Sequence, residues 1–212
     1  MEARLTRRRL PHLDIPGATY FVTSCLNGSI PALGLTNLRQ RQEALLASRP
    51  KETTTREWER IVWKMMFVER EKWLDGNPAA RHLEQDSAAS IVRDALTFFG
   101  GVRYELISYV IMPSHFHWVF RPLKEYEASL PADQSPRATI MHSIKSFTAN
   151  ECNKVLGHSD RFWQDESYDH CVADEAELER IVQYVEFNPC KAGLCARPEE
   201  WKYSSAYLRG TR

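Results

Sequence analysis

The stretch RYELISYVIMPSHFHWVFR, residues 103 to 121, sets the fold class. Two runs of β-branched and aromatic residues flank Met112-Pro113-Ser114, a turn signal, so a hairpin is predicted with strands over 103 to 111 and 115 to 121. Side chains alternate along a strand, which puts Phe116, Trp118 and Phe120 on one face and His115, His117 and Val119 on the other. The aromatic face belongs to the core, and two imidazoles then lie side by side on a rigid element, within reach of one cation. An isolated His-x-His in a strand is more often the pattern of two ordinary hydrogen-bonded histidines. The HxHxDH run of zinc hydrolases is absent, because Trp118, Val119 and Phe120 follow.

Outward from the hairpin, ATYFVTSCL (18 to 26) follows Pro16-Gly17 and reads as a strand opening after a turn. Residues 37 to 47, 55 to 74 and 87 to 99 read as helices. In the last, Ser87 is placed as N-cap, Ile91, Val92, Ala95, Leu96 and Phe99 share a face, and Gly100-Gly101 ends the run. Beyond the hairpin, Ser135-Pro136 starts a helix with Ile140, Ile144, Phe147 and Val155 as its stripe, running to Gly157. YDHCVA (168 to 173) is a short strand. Asp174 with Glu177 three residues on opens a last helix carrying Leu178, Ile181, Val182 and Val185, which Asn188-Pro189 is expected to stop.

The order matches the ferredoxin-like βαββαβ unit, an antiparallel sheet flanked by helices in the α+β class, with an extra C-terminal helix. The stretch 33 to 85 holds more helix than the unit needs and is read as a helical insertion.

The chain's 212 residues suit one domain over 1 to 212, and 43% hydrophobic with 26% charged residues is a globular composition. No apolar run approaches the roughly 18 residues of a membrane span, and no secretory leader is recognisable, so a cytoplasmic protein is expected. Five cysteines without a CxxC pair point to reduced thiols rather than a disulfide framework or cysteine-rich zinc site. Lys+Arg and Asp+Glu both number 28, so no global field draws nucleic acid to the chain. The local exception is the cluster Arg4, Arg7, Arg8 and Arg9, on that feature alone more often a solvated tail than a phosphate contact.

On the final helix Tyr184 and Asn188 are four residues apart and share a face, placed away from the apolar stripe. Packed beside the histidine strand, that face would add an amide oxygen to the two imidazoles and set a phenol next to them. Taken singly, a helical Tyr is ordinary packing and an Asn before Pro an ordinary helix stop.

With RRRLPH (7 to 12), GATYFVTSC (17 to 25), VIMPSHFHWVF (110 to 120), SIKSFTAN (143 to 150), RIVQYVEFNPCKAGL (180 to 194) and WKYSSA (201 to 206) in this order, the sequence resembles the REP-associated tyrosine transposases. These are a branch of the HUH single-tyrosine transposases. The stretch from about 33 to 85 has no counterpart in the resemblance. The resemblance implies a metal-dependent endonuclease and strand transferase acting on single-stranded or hairpin DNA such as REP-like palindromes, as monomer or homodimer. Tyr184 is then the nucleophile that forms a 5′-phosphotyrosine, with His115, His117 and Asn188 ligating Mg²⁺ or Mn²⁺. Asn188 stands where related insertion-sequence transposases often carry Gln. Arg7, Arg8, Arg9, Lys145 and Lys191 are the expected phosphate contacts, and Trp163 is a base-stacking residue or a core residue. A hairpin-DNA- or RNA-binding protein that keeps this fold without turnover is the alternative.

Overall fold

The computed structural model describes residues 4–7, 11–76, 78–165 and 167–210, with side chains from Asp14 onward other than that of Arg56. Strands β1 (Arg4–Arg7) and β2 (Pro11–Asp14) pair as an N-terminal ribbon that the sequence did not announce. The main sheet holds β3 (Tyr20–Cys25), β4 (Tyr104–Met112), β5 (His115–Pro122) and β6 (Tyr168–Cys171). It is antiparallel in the spatial order β4-β5-β3-β6, the split arrangement expected of a βαββαβ unit. Between β3 and β4 lie α1 (Ala32–Ala47), α2 (Thr55–Asp75) and α3 (Asp86–Phe98). A short α4 (Lys124–Ser129) precedes α5 (Pro136–Leu156), and α6 (Glu175–Lys191) and α7 (Ser205–Gly210) close the chain.

The alternation read from the hairpin holds on β5. Phe116, Trp118 and Phe120 enter the large core with α3 and α5, and Trp118 stacks on Phe120 with ring centroids 3.9 Å apart. On β4 a bulge intervenes: Leu106 pairs with Phe120 but Ser108 pairs with Val119, so residues two apart face opposite sides of the sheet. The extra residue returns Tyr109 and Ile111 to the aromatic face, and Val110 and Met112 to the histidine face.

The histidine face is covered as well. Phe21, Val110, Met112, Val119 and Val185 form a second core there, against Trp63 and Phe67 of α2 and Tyr184 of α6. The helices of the stretch 33 to 85 are therefore packed on the sheet, next to the residues singled out for chemistry.

Four local expectations change. Gln85, not Ser87, is the N-cap of α3. On α5, Phe147 and Val155 are half-exposed, and Met141, Thr148 and Cys152 complete the buried stripe instead. Tyr184 and Asn188 do not face away from the stripe of α6, because they turn toward the sheet together with Val185. Finally, α6 does not stop at Asn188-Pro189 but runs through Pro189 to Lys191. Pro189 removes only the bond to Val185, and the Asn188 side chain binds back to Tyr184. The helix ends where Gly193 adopts φ +71°, with Leu194 N–H on the Pro189 carbonyl and Gly193 N–H on the Cys190 carbonyl. That bond pair is a Schellman close, and the left-handed residue it needs is supplied by glycine.

Candidate active site

Strand β5 carries the first part of the centre. His115 and His117 are fully buried, and their Nε2 atoms face each other at 3.2 Å. Each ring is held from behind by a hydroxyl: His115 Nδ1 lies 3.0 Å from Ser114 Oγ, and His117 Nδ1 lies 2.9 Å from Thr23 Oγ1 on the paired strand. With both Nδ1 atoms protonated and donating to these hydroxyls, two bare Nε2 lone pairs converge on one point. Burial, and then His117 beside it, pushes the His115 imidazole down to about 3, so it is neutral at ordinary pH and available as a ligand.

Helix α6 brings the tyrosine within the same chain. Tyr184 Oη lies 3.5 Å from His117 Nε2, and Asn188 Nδ2 donates to it at 2.9 Å. One turn of helix separates the two residues, the spacing that placed them on a common face.

The third contribution was not read from the sequence. Glu71, on α2, accepts a hydrogen bond from Tyr184 Oη and places Oε2 3.4 Å from His117 Nε2. Burial alone would raise the Glu71 carboxyl, but the adjacent imidazoles, His117 foremost, and the Tyr184 hydroxyl outweigh it and hold the carboxyl at about 2. The Tyr184 hydroxyl moves the other way: burial and then the Glu71 carboxylate push it far above its ordinary value, so the phenol keeps its proton.

The donor set fits a divalent cation. Ligand atoms of Glu71, His115 and His117 all lie within 4.8 Å of one another, the one such group of three among the described residues. Two nitrogens 3.2 Å apart span what two metal–nitrogen bonds of about 2.1 Å would at an angle near ~100°. Two buried oxygens without a hydrogen-bond partner, Glu71 Oε1 and Asn188 Oδ1, stand at the same centre. Orphaned acceptors of this kind are what an ion satisfies.

The remaining expected residues fall unevenly. Lys191 stands beside the phenol, its ammonium 6.0 Å from the Tyr184 ring and 2.6 Å from Asp75 Oδ2. Lys145 lies on α5, on the aromatic side of the sheet, and donates to the carbonyls of Gln164 and Asp165. Arg8 and Arg9 lie outside the described residues, and for Arg7 the backbone of β1 alone is described. Trp163 is a core residue rather than an open stacking platform: it is buried against Phe116, and its indole donates to Thr148 Oγ1 at 2.9 Å. No helix among the described residues is long and apolar enough to cross a membrane.

No family model matches the chain. A Haemophilus influenzae protein described as "Putative REP-associated tyrosine transposase" is 24% identical over 111 residues, which is 48% of this chain and 58% of that protein. A second protein of the same bacterium, described as uncharacterized, is 29% identical over 104 residues, 43% of this chain and 57% of its own length. The matched part is thus less than three fifths of each curated relative. Among solved structures, a REP-associated tyrosine transposase bound to a REP hairpin superposes with a TM-score of 0.54 at 17% identity, covering 98% of this chain and 86% of that one. The chain is similar to the REP-associated tyrosine transposases in sequence and in fold. The four-stranded antiparallel sheet with flanking helices is shared with that transposase structure.

Proposed function

We propose that the chain is a metal-dependent, tyrosine-nucleophile endonuclease and strand transferase that acts on single-stranded or hairpin DNA; one of the proteins it resembles is named a tyrosine transposase, and another was solved bound to a REP hairpin. The observation that carries this reading is the approach of Tyr184 Oη to 3.5 Å from His117 Nε2, beside a second imidazole, without help from another chain. His115 and His117 would hold Mg²⁺ or Mn²⁺, with Asn188 Oδ1 or the Glu71 carboxylate as oxygen donor; the imidazole pair suits Mn²⁺ better. Bound there, the ion supplies Lewis-acid polarisation of the scissile phosphate.

The chain's own groups define the rest. Asn188 Nδ2 fixes the phenol oxygen of Tyr184, and α6 holds it rigidly at the histidine strand. Tyr184 Oη forms a bond to phosphorus as the phosphorus–O3′ bond breaks, leaving a 5′-phosphotyrosine. The phenol proton is given up and the departing O3′ takes one up as a 3′-hydroxyl. The bond energy kept in the phosphotyrosine permits transfer to another 3′-hydroxyl without a nucleotide cofactor. Lys191, next to the phenol, is the first phosphate contact, with Arg7, Arg8 and Arg9 as further candidates; Lys145, across the sheet and bonded to the Gln164 and Asp165 carbonyls, is not on the same path. The stretch 33 to 85, read as an insertion, reaches this centre through Glu71.

Incubation with a hairpin oligonucleotide and Mn²⁺ should yield a covalent protein–DNA adduct on a denaturing gel. Tyr184→Phe should abolish the adduct while hairpin binding persists. Cleavage by Tyr184→Phe at the wild-type rate would overturn the tyrosine mechanism, and binding with no adduct under any divalent ion would favour the hairpin-binding alternative.

A further inference from the structure

The groups that would hold the ion are buried: His115 and Asn188 are 1% exposed, His117 0% and Glu71 4%. Tyr184 is part-buried, and α2 packs over the histidine face beside it. Trp63 and Phe67 of α2 pack edge-on against Phe21, and Phe67 against Tyr184, while Glu71 reaches the phenol and His117.

Two independent features mark this seam as one that another surface completes. The first is its unmet polar groups. Besides the two oxygens that an ion would satisfy, Trp63 Nε1 and Arg70 Nη1 of α2 are buried nitrogens without a hydrogen-bond partner. Permanent interiors pair nearly all such atoms. The second is the pattern of charge. Glu71 and Asp75 are four residues apart and so project from one side of α2. One carboxylate meets the phenol and an imidazole; the other meets the Lys191 ammonium at 2.6 Å. Those are the partners that phosphates of a bound strand would take.

We propose that the face of β3, β5 and α6 beneath α2 is the groove for the backbone of a single DNA strand, and that α2 holds its place with Glu71 and Asp75 where phosphates bind. On this view Lys191 is the phosphate subsite next to Tyr184, filled by Asp75 until DNA displaces it. Entry of the strand requires α2 to leave, so Glu71 lets go of Tyr184 and His117, and Asn188 remains as the oxygen donor. Contacts that must break include the Lys64–Glu177 pair at 3.4 Å, the Trp63–His170 stack at 4.0 Å and the Arg70 guanidinium over the Tyr168 ring at 3.1 Å. The inference rests on the DNA reading above.

The test uses the full chain with EDTA, so that no cleavage occurs, and a fluorescent single-stranded oligonucleotide at fixed low salt. Asp75→Asn should bind it about fivefold tighter than wild type, the size of one released ion pair. Asp86→Asn is the control, because it frees Lys202 in the same way at α3, on the opposite face of the sheet. Hydrogen–deuterium exchange on wild type should show the α2 amides exchanging faster with DNA bound. The groove is wrong if Asp75→Asn binds no tighter than Asp86→Asn, or if DNA binds while α2 stays as protected as before. Failure of every variant to bind any oligonucleotide overturns the DNA reading itself, and the groove with it.

Discussion

Glu177 offers the sharpest stability measurement because its surroundings are complete and far from ambiguous. Its side chain is 7% exposed, and Oε2 accepts from Ala173 N at 2.9 Å and lies 3.1 Å from His170 Nε2. Lys64 of α2 adds an ion pair at 3.4 Å. Burial on its own would raise the carboxyl; the Ala173 N–H, then His170 and Lys64, overcome it and lower the carboxyl from 4.5 to about 2. The folded value is depressed, so the stabilisation is fully present above the unfolded value and is lost as pH falls through the folded one, a window from roughly 4.5 down to about 2. Lowering the carboxyl from 4.5 to about 2 corresponds to about 3 kcal/mol at neutral pH and to about 1.5 kcal/mol at pH 3. Glu177→Gln removes the charge and keeps an acceptor for Ala173, so urea unfolding at pH 7 should show a loss of about 2 to 3 kcal/mol. The gap between wild type and variant should narrow to about half at pH 3. A gap that is the same at both pH values would refute the electrostatic account and leave only packing.

Three further outcomes follow from named contacts. Arg137→Met strands the buried carboxylates of Asp14 and Asp169, now 2.8 and 3.3 Å from its guanidinium, and should cost about 3 to 5 kcal/mol in urea unfolding; a loss below about 1 kcal/mol would contradict the burial of that network. Thr23→Val keeps the volume beside His117 but removes the hydroxyl on Nδ1, and titration calorimetry should find Mn²⁺ affinity lowered by about 10- to 100-fold, with unchanged affinity arguing against an oriented imidazole. Gly193→Ala puts a Cβ into open space at φ +71°, so its cost should be the left-handed backbone alone, about 1 to 2 kcal/mol in thermal unfolding; a larger loss would mean that the end of α6 is packed more tightly than it is here.

Which parts of this arrangement were legible beforehand depends on the range of the interactions involved. The β5 faces followed from local alternation, and the spacing of Tyr184 and Asn188 from the helical repeat, so both are set within a few residues. The phase of β4 was less accessible, because the bulge between Leu106 and Ser108 shifts the pleat without a glycine to mark it. Proline at 189 signalled a stop that a side-chain tie and a late glycine override. Glu71 is the instructive omission. Within FVEREKWLD (67 to 75) it reads as one more solvated charge. Yet Trp63, Phe67 and Glu71 form one row of α2 at spacings of four, and Val62, Met66 and Arg70 form the next. Both rows are packed toward the protein, so continuing each by one turn delivers a carboxylate and a guanidinium to the interior. Sequence holds that signal, but it becomes readable only once the covered face of α2 is known, which is set by contacts with strands and a helix up to 116 residues away. A buried Arg70-Glu71 pair is costly packing for a helix whose sole task is to close a core. It is reasonable where the helix meets a phenol and two imidazoles that, in its absence, would face the phosphates of a nucleic acid.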